Sequence, residues 1–295
     1  MSRVRCKPLI EVVLLAVAVY AIVCGAAWWL QDRLVYFPSR TVAWTPAAAG
    51  LDYRDVWLDA DGERLHGWFV PGPIGDHGPT PVVLFLHGNA GNLGDRIETL
   101  AVLHRTGAAV LAIDYRGYGQ SEGEPGEAAT YADAHAAWRW LLAAGHPPQR
   151  IVVMGRSLGG GVASWLAAHE PVGGLVLENT FTSVAALGAE VYPWLPVRWL
   201  ARIRYDSLAR MPAVSAPVLI AHARADMVVP FRHGRALLDA TTAPKRFLEL
   251  DGGHDDAFLA TGERYVEALR AFLSEVAETS VASDVSRPPD VPPPR

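Results

Sequence analysis

Cysteine is nearly missing from this chain of 295 residues. It has two, Cys6 and Cys24, both close to the N-terminus. The remainder therefore has no disulfide framework and no cysteine-built metal site. An excess of basic charge is also missing. The formal net charge is −5 and the isoelectric point about 6.1, with no basic cluster, which argues against a nucleic-acid partner. No Gly-x-Gly-x-x-Gly follows a strand and no His-Glu-x-x-His occurs, so neither a nucleotide cofactor nor a metal is expected. There is no internal repeat. The C-terminal end has almost nothing to bury. Residues 279–295 carry Pro288, Pro289, Pro292, Pro293 and Pro294 and read as a disordered tail.

What is there begins with one long apolar run. The mean hydropathy of +0.14 is high for a soluble domain, and its source is local. Val12 to Leu30 carries no charge, Arg3, Arg5 and Lys7 precede it, and Trp28 and Trp29 close it. This reads as a membrane anchor over residues 1–32, with the span at about 10–30. The basic flank puts the N-terminus in the cytoplasm and the domain on the far, extracytoplasmic side. A cleaved signal peptide ending near Cys24-Gly25-Ala26-Ala27 is the alternative, but the run exceeds the usual signal core. A lipoprotein cysteine at Cys24 is disfavoured by the bulky Val23 before it.

Residues 33–278 read as one α/β domain. Tyr53–Leu58 and Glu63–Val70 are predicted strands around Asp59-Ala60-Asp61-Gly62, a hairpin signal. From Pro81–Leu86 onward, strand-length apolar runs alternate with helical spacing. Strands are expected at Ala109–Ile113, Ile151–Met154, Leu175–Leu177, Val218–Ala221 and Arg246–Leu250. Helices are expected at Leu93–Thr106, Glu127–Ala144, Ser157–His169, His233–Thr242 and Asp255–Val276. Such alternation makes a mostly parallel sheet, with function at the carboxyl ends of its strands. Residues 183–210, with Tyr192, Trp194, Trp199 and Tyr205, are either a small cap over an acyl pocket or an ordinary amphipathic crossover.

The chemistry centres on Gly155-Arg156-Ser157-Leu158-Gly159. An apolar strand precedes it and a helical pattern follows, the context of a nucleophile on a tight turn. A serine hydroxyl needs a base, and the base an orienting carboxylate. In such sheets the chain order is Ser, acid, His. Asp226 and His254 follow predicted strands in that order, and Gly252-Gly253 frees the histidine loop to reach across. Glu178 is the rival acid. His222 precedes Asp226 and is disfavoured as base. His104, His135 and His169 read as packed or solvated helix residues, His146 as a loop residue before two prolines and His233 as a helix-surface residue. Asp255 and Asp256 read as helix-start acids. The oxyanion donors are expected to be the N–H groups of Leu158 and of Asn89 in His87-Gly88-Asn89-Ala90-Gly91-Asn92. His87 is read as a bracket for that loop. Asp114 and Arg116 brace the loop Asp114–Gly123, with substrate contact as the alternative.

The motifs His87-Gly-Asn-Ala-Gly-Asn92, Asp114-Tyr-Arg-Gly-Tyr-Gly119, Gly155-Arg-Ser-Leu-Gly159, Glu178-Asn-Thr-Phe181 and Gly253-His254 occur in one order. Together they resemble the bud-emergence-type (bem-like) membrane-anchored α/β-hydrolases, over about Leu34 to Leu273. The resemblance implies the α/β-hydrolase fold, a mostly parallel eight-stranded sheet flanked by helices, and a triad of Ser157, Asp226 and His254. It implies no firm substrate. The expected activity is hydrolysis of carboxylic esters or thioesters, on a small-molecule or lipid-like acyl substrate. A serine peptidase of the same fold and a catalytically silent, membrane-tethered binding protein are the alternatives. The sequence leaves the oligomeric state open.

Overall fold

The structure, a computed structural model, describes residues 7–73 and 81–285. It begins with α1 (Lys7–Trp29), which is long and apolar enough to cross a membrane. Arg3 and Arg5, which carried the orientation argument, lie outside the described residues. A short α2 (Gln31–Val35) and β1 (Phe37–Pro38) follow at once. Residues 31–38 are therefore almost entirely structured.

The hairpin forms as expected from β2 (Arg54–Ala60) and β3 (Glu63–Val70). Asp61 and Gly62 take the positive φ that its turn demands. After β4 (Val82–Leu86) the chain makes a short β5 (Ala90–Gly91), which pairs in parallel with β1. Then come α3 (Ile97–Arg105), β6 (Val110–Ile113), α4 (Glu127–Ala143), β7 (Ile151–Arg156), α5 (Leu158–His169) and β8 (Gly174–Glu178). Three short helices, α6 (Val184–Val191), α7 (Val197–Leu200) and α8 (Ser207–Arg210), make up the insertion. β9 (Val218–Ala223), α9 (Arg232–Ala240), β10 (Lys245–Leu250), α10 (Ala257–Thr261) and α11 (Glu263–Val285) complete the order.

The main sheet has eight strands in the order β10-β9-β8-β7-β4-β6-β3-β2. Only the β2–β3 and β3–β6 pairs are antiparallel. Every residue of β4, β6, β7 and β8 is buried, which is why these strands read as unbroken apolar runs rather than alternating ones. Alternation survives in where the side chains go. Val82, Leu84 and Leu86 join a core with residues of α4 and α5, whereas Val83 and Phe85 join a second core with residues of α3 and α11. Each such fully buried aliphatic or aromatic side chain contributes about 1.5–3 kcal/mol.

Three expectations need correction. His233, read as a helix-surface residue, is buried on α9, with Nδ1 2.9 Å from Thr182 Oγ1 and Nε2 3.1 Å from Glu190 Oε2. The expected helix Asp255–Val276 is broken. Gly262 sits at φ 62° and ψ −133°, outside helical space, and separates α10 from α11. The last helix also runs on to Val285, into the stretch read as a disordered tail. Residues 286–295 lie outside the described residues.

Gly155 and Gly159 let β7, α5 and β4 meet. A Cβ on Gly155 would fall 2.1 Å from the Gly159 carbonyl oxygen, and one on Gly159 would fall 2.0 Å from that of Leu86. Both obstacles are backbone and cannot rotate away. Gly159→Ala is expected to destabilise the protein by at least about 3 kcal/mol, lowering the melting temperature by roughly 6–12 °C. A melting temperature within a degree of wild type would show that the strand and helix have room to separate.

Candidate active site

The turn between β7 and α5 sets the geometry. Ser157 holds φ 53° and ψ −119°, a backbone conformation that L-residues rarely adopt and that costs about 1–3 kcal/mol. Its neighbours hold it there. The Ser157 N–H donates to the Glu178 carbonyl at 3.0 Å. Its own carbonyl accepts from Thr180 Oγ1 at 2.6 Å and from the Gly160 N–H at 3.0 Å.

The hydroxyl so presented meets a histidine. Ser157 Oγ lies 3.0 Å from His254 Nε2, and His254 Nδ1 lies 2.7 Å from Asp226 Oδ2. Asp226 Oδ1 accepts from the Val228 and Val229 N–H groups, each at 2.8 Å. The three residues foreseen from spacing are thus joined in one hydrogen-bonded line, although they come from the ends of β7, β9 and β10. With the Asp226 carboxylate accepting from Nδ1–H, the Nε2 lone pair faces the serine. Burial alone would raise the Asp226 carboxyl. The hydrogen bond and charge of His254, with the Val229 and Val228 amides, outweigh it and hold the group below its ordinary value, so it stays ionised at neutral pH.

The rivals are engaged elsewhere. Glu178 is fully buried and pairs with Arg156, Nε to Oε1 at 2.5 Å, and with the Tyr265 hydroxyl. His222 is buried on β9, with Nε2 2.9 Å from the Val229 carbonyl and 3.7 Å from Asp226 Oδ2. Its burial lowers its proton affinity more than the Val229 carbonyl and Asp226 raise it. A neutral His222 therefore donates to Val229 and backs the loop that carries the acid.

One residue of the constellation had no role assigned from sequence. Asn179, at φ 44° just after β8, donates from Nδ2 to the His254 carbonyl at 2.9 Å and accepts the Ala223 N–H at 2.8 Å. It ties the histidine loop to the end of β9. Its sequence signals were its place in the motif Glu178-Asn-Thr-Phe181 and an asparagine directly after a strand, a residue type that tolerates left-handed backbone. Gly253 is fixed from the other side, its N–H donating to Asp256 Oδ1 at 2.7 Å.

Leu158 opens α5, so its N–H has no acceptor within the helix. The loop after β4 lies against the serine. A Cβ on Gly88 would stand 3.5 Å from the Ser157 Cβ. Asn89 is clamped there. Its carbonyl accepts from the Phe37 N–H at 2.9 Å and the Tyr118 hydroxyl at 2.7 Å, and its side chain donates to the Val35 carbonyl at 3.0 Å. His87 is buried between the Tyr115 and Tyr118 rings, with Nδ1 2.7 Å from the Gly88 carbonyl. Asn92 closes a capping box with Asp95 and ties the loop to Ser39 and Thr41. Asp114 accepts the Leu93 N–H, and Arg116 pairs with Asp133. His87, Asp114 and Arg116 make loop contacts of the kind expected of them; the ties made by Asn89 and Asn92 were not foreseen.

A cavity of about 990 Å³ opens over Ser157 and His254, walled by the insertion and by the end of α1. A smaller one of about 520 Å³ lies behind α6, among Arg198, Arg204 and Arg232, and is not lined by Ser157 or His254. Among the described residues, no group of three or more His, Cys, Asp or Glu could hold a metal ion.

Residues 81–210 match the family model for the alpha/beta hydrolase fold. The chain is 40% identical to protein Rv2307c of Mycobacterium tuberculosis, over 94% of this chain and 99% of that one. It is 34% identical to the alpha/beta hydrolase domain-containing protein WAV2 of Arabidopsis thaliana, over 87% of this chain and 92% of that one. It is 33% identical to the lysophosphatidylserine lipase ABHD12 of Danio rerio, over 73% of this chain and 58% of that one. The esterase Pf2001 of Pyrococcus furiosus superposes with a TM-score of 0.67 at 21% identity, over 81% of this chain and 98% of that one, and so shares its fold. By sequence and by architecture, the chain belongs to the alpha/beta hydrolase family.

Proposed function

We propose that this hydrolase cleaves carboxylic ester or thioester bonds through an acyl-enzyme on Ser157. The observation that carries the reading is the unbroken line Ser157 Oγ, His254 Nε2, His254 Nδ1, Asp226 Oδ2, at 3.0 and 2.7 Å. His254 takes the hydroxyl proton as Ser157 Oγ attacks the carbonyl carbon. The oxyanion that forms receives the N–H groups of Leu158 and Asn89. Collapse expels the alkoxide or thiolate, which takes the proton from His254. Water then gives a proton to His254 and attacks the acyl carbon; the bond from that carbon to Ser157 Oγ breaks, Oγ takes the proton back from His254, and the acid leaves. Asp226 keeps the imidazole in the required tautomer throughout.

The relatives support hydrolysis of esters. One is named a lysophosphatidylserine lipase, and a protein of shared fold is named an esterase. The division into an anchor over residues 1–32 and a hydrolase domain from residue 33, with its cap at 183–210 and its last helix running to Val285, is part of this proposal. So are the N-terminus-in orientation and the bud-emergence-type placement, which rests on the five motifs in order.

A fluorophosphonate probe tests the reading. The wild-type protein is expected to label and to hydrolyse a short p-nitrophenyl ester. Absence of both would favour a silent binding scaffold, and cleavage of peptides but not esters would favour a peptidase.

A further inference from the structure

We propose that α1 is a wall of the acyl pocket as well as an anchor, and that the substrate is a long-chain acyl ester or thioester resident in the membrane. Its chain would reach Ser157 by sliding along α1 from the bilayer. This deepens the serine-hydrolase reading and rests on it.

The cavity over Ser157 and His254 is lined on one side by Val23, Ala27, Leu30 and Leu34. Those positions are spaced four, three and four apart, so they form one face of a helical path. Small side chains at Ala26 and Ala27 leave the room. The opposite side comes from Leu187, Val191 and Leu195 of the insertion. At about 990 Å³ the cavity reaches the upper end of small-molecule sites, about 300–1,000 Å³. Its lining is mostly apolar, aliphatic side chains with Phe181, Tyr192 and Trp194 among them, and the polar residues that could orient a head group include Asn89, Arg96 and Asp255.

The wall is bonded in place. The Tyr20 hydroxyl donates to the Trp194 carbonyl at 2.8 Å, and Gln31 Nε2 donates to the Leu200 carbonyl at 2.8 Å. Gln31 Oε1 accepts the Arg202 N–H at 2.7 Å, and Arg202 Nε donates to the Trp28 carbonyl at 3.2 Å. Tyr20 lies nine residues before Trp29, or about 13 Å along the helix axis. The insertion therefore overlaps the apolar length of α1 instead of standing clear of it. Its exposed aromatics agree with immersion: Trp199 is 91% and Trp194 58% exposed, beside an exposed Tyr192. A cavity lined both by the apolar helix α1 and by the nucleophile suits an occupant that already resides in the bilayer.

The test uses the full-length protein in phospholipid vesicles. Ala27→Trp is expected to lower the ratio of kcat/KM for p-nitrophenyl palmitate to that for p-nitrophenyl acetate at least tenfold. Ile22→Trp, on the exposed side of α1, is expected to leave the ratio unchanged. A fluorescent long-chain fatty acid gives a readout that needs no turnover. It is expected to bind the wild-type and Ser157→Ala proteins alike, and the Ala27→Trp protein at least tenfold more weakly. Should Ala27→Trp not fold, Val23→Trp is held to the same two outcomes. An unchanged ratio or unchanged fatty-acid binding overturns the proposal. Fatty-acid binding that needs Ala27, in a protein that neither labels nor turns over, would overturn the hydrolase reading and leave the wall standing.

Discussion

Ser157→Ala is expected to lower kcat for a short ester by about 10⁶, the loss seen when a triad nucleophile is removed. The chain should stay folded. The bonds that hold the turn all use the Ser157 backbone, to Glu178, Thr180 and Gly160, and alanine keeps every one of them. The lost group is the hydroxyl 3.0 Å from His254 Nε2. What survives should be the contribution of the oxyanion donors and of binding, about 10³–10⁴ over water. Steady-state kinetics beside a melting curve checks this. A variant within tenfold of wild type would remove Ser157 from the chemistry, whatever its geometry.

Asp226→Asn should cost about 10⁴ in kcat, the loss known for the same change in a serine protease triad. The reason can be read from the acceptor pattern. Asp226 Oδ1 takes two backbone N–H groups, from Val228 and Val229, and an asparagine keeps those by placing its carbonyl oxygen there. Its amide nitrogen then stands where Oδ2 stood, facing His254 Nδ1 as a donor. The imidazole must answer with a lone pair at Nδ1 and carry its proton on Nε2, toward the serine, where it cannot act as a base. Stability should respond to pH in a defined direction. The Asp226 carboxyl is held below its ordinary value of 3.8, so its ionisation stabilises the fold at higher pH. That contribution is lost as pH falls through the lower, folded value. The stability difference between wild type and Asp226→Asn should thus narrow below about pH 4. Denaturant melts from pH 7 to pH 3 measure it, and a difference that widens on acidification would contradict the assignment.

Much of this was legible in the residues because the signals are local. Buried parallel strands must be apolar throughout, so Val82–Leu86 and Ile151–Met154 stand out in any reading. A serine flanked by glycines, with an acid and a histidine after later strands, is constrained by backbone geometry that only those residue types meet. What was not legible depends on distant partners. Nothing local in Gln31 says that it will bind Leu200 and Arg202. Nothing local in Phe37 says that it will pair with the loop of Asn89. Asn179 stood in the motif Glu178-Asn-Thr-Phe181, but its use could not be read there, because it lies in joining two loops that the sequence keeps far apart. Gly262 was visible as a glycine, but an apolar helical pattern on both sides hid the break.

The passage from α1 to the sheet has one more consequence. Between Lys7 and Pro38 only Leu30 and Tyr36 fall outside α1, α2 and β1, and β1 is paired with the loop beside the nucleophile. There is no slack in this connection. An enzyme on a loose linker samples a hemisphere and meets its substrate in three dimensions. On the proposed membrane reading, this one would hold its serine at a constant height, free to spin about the bilayer normal and to drift laterally. Its rate would then follow the mole fraction of substrate among the lipids, and diluting the vesicles in buffer would not change it.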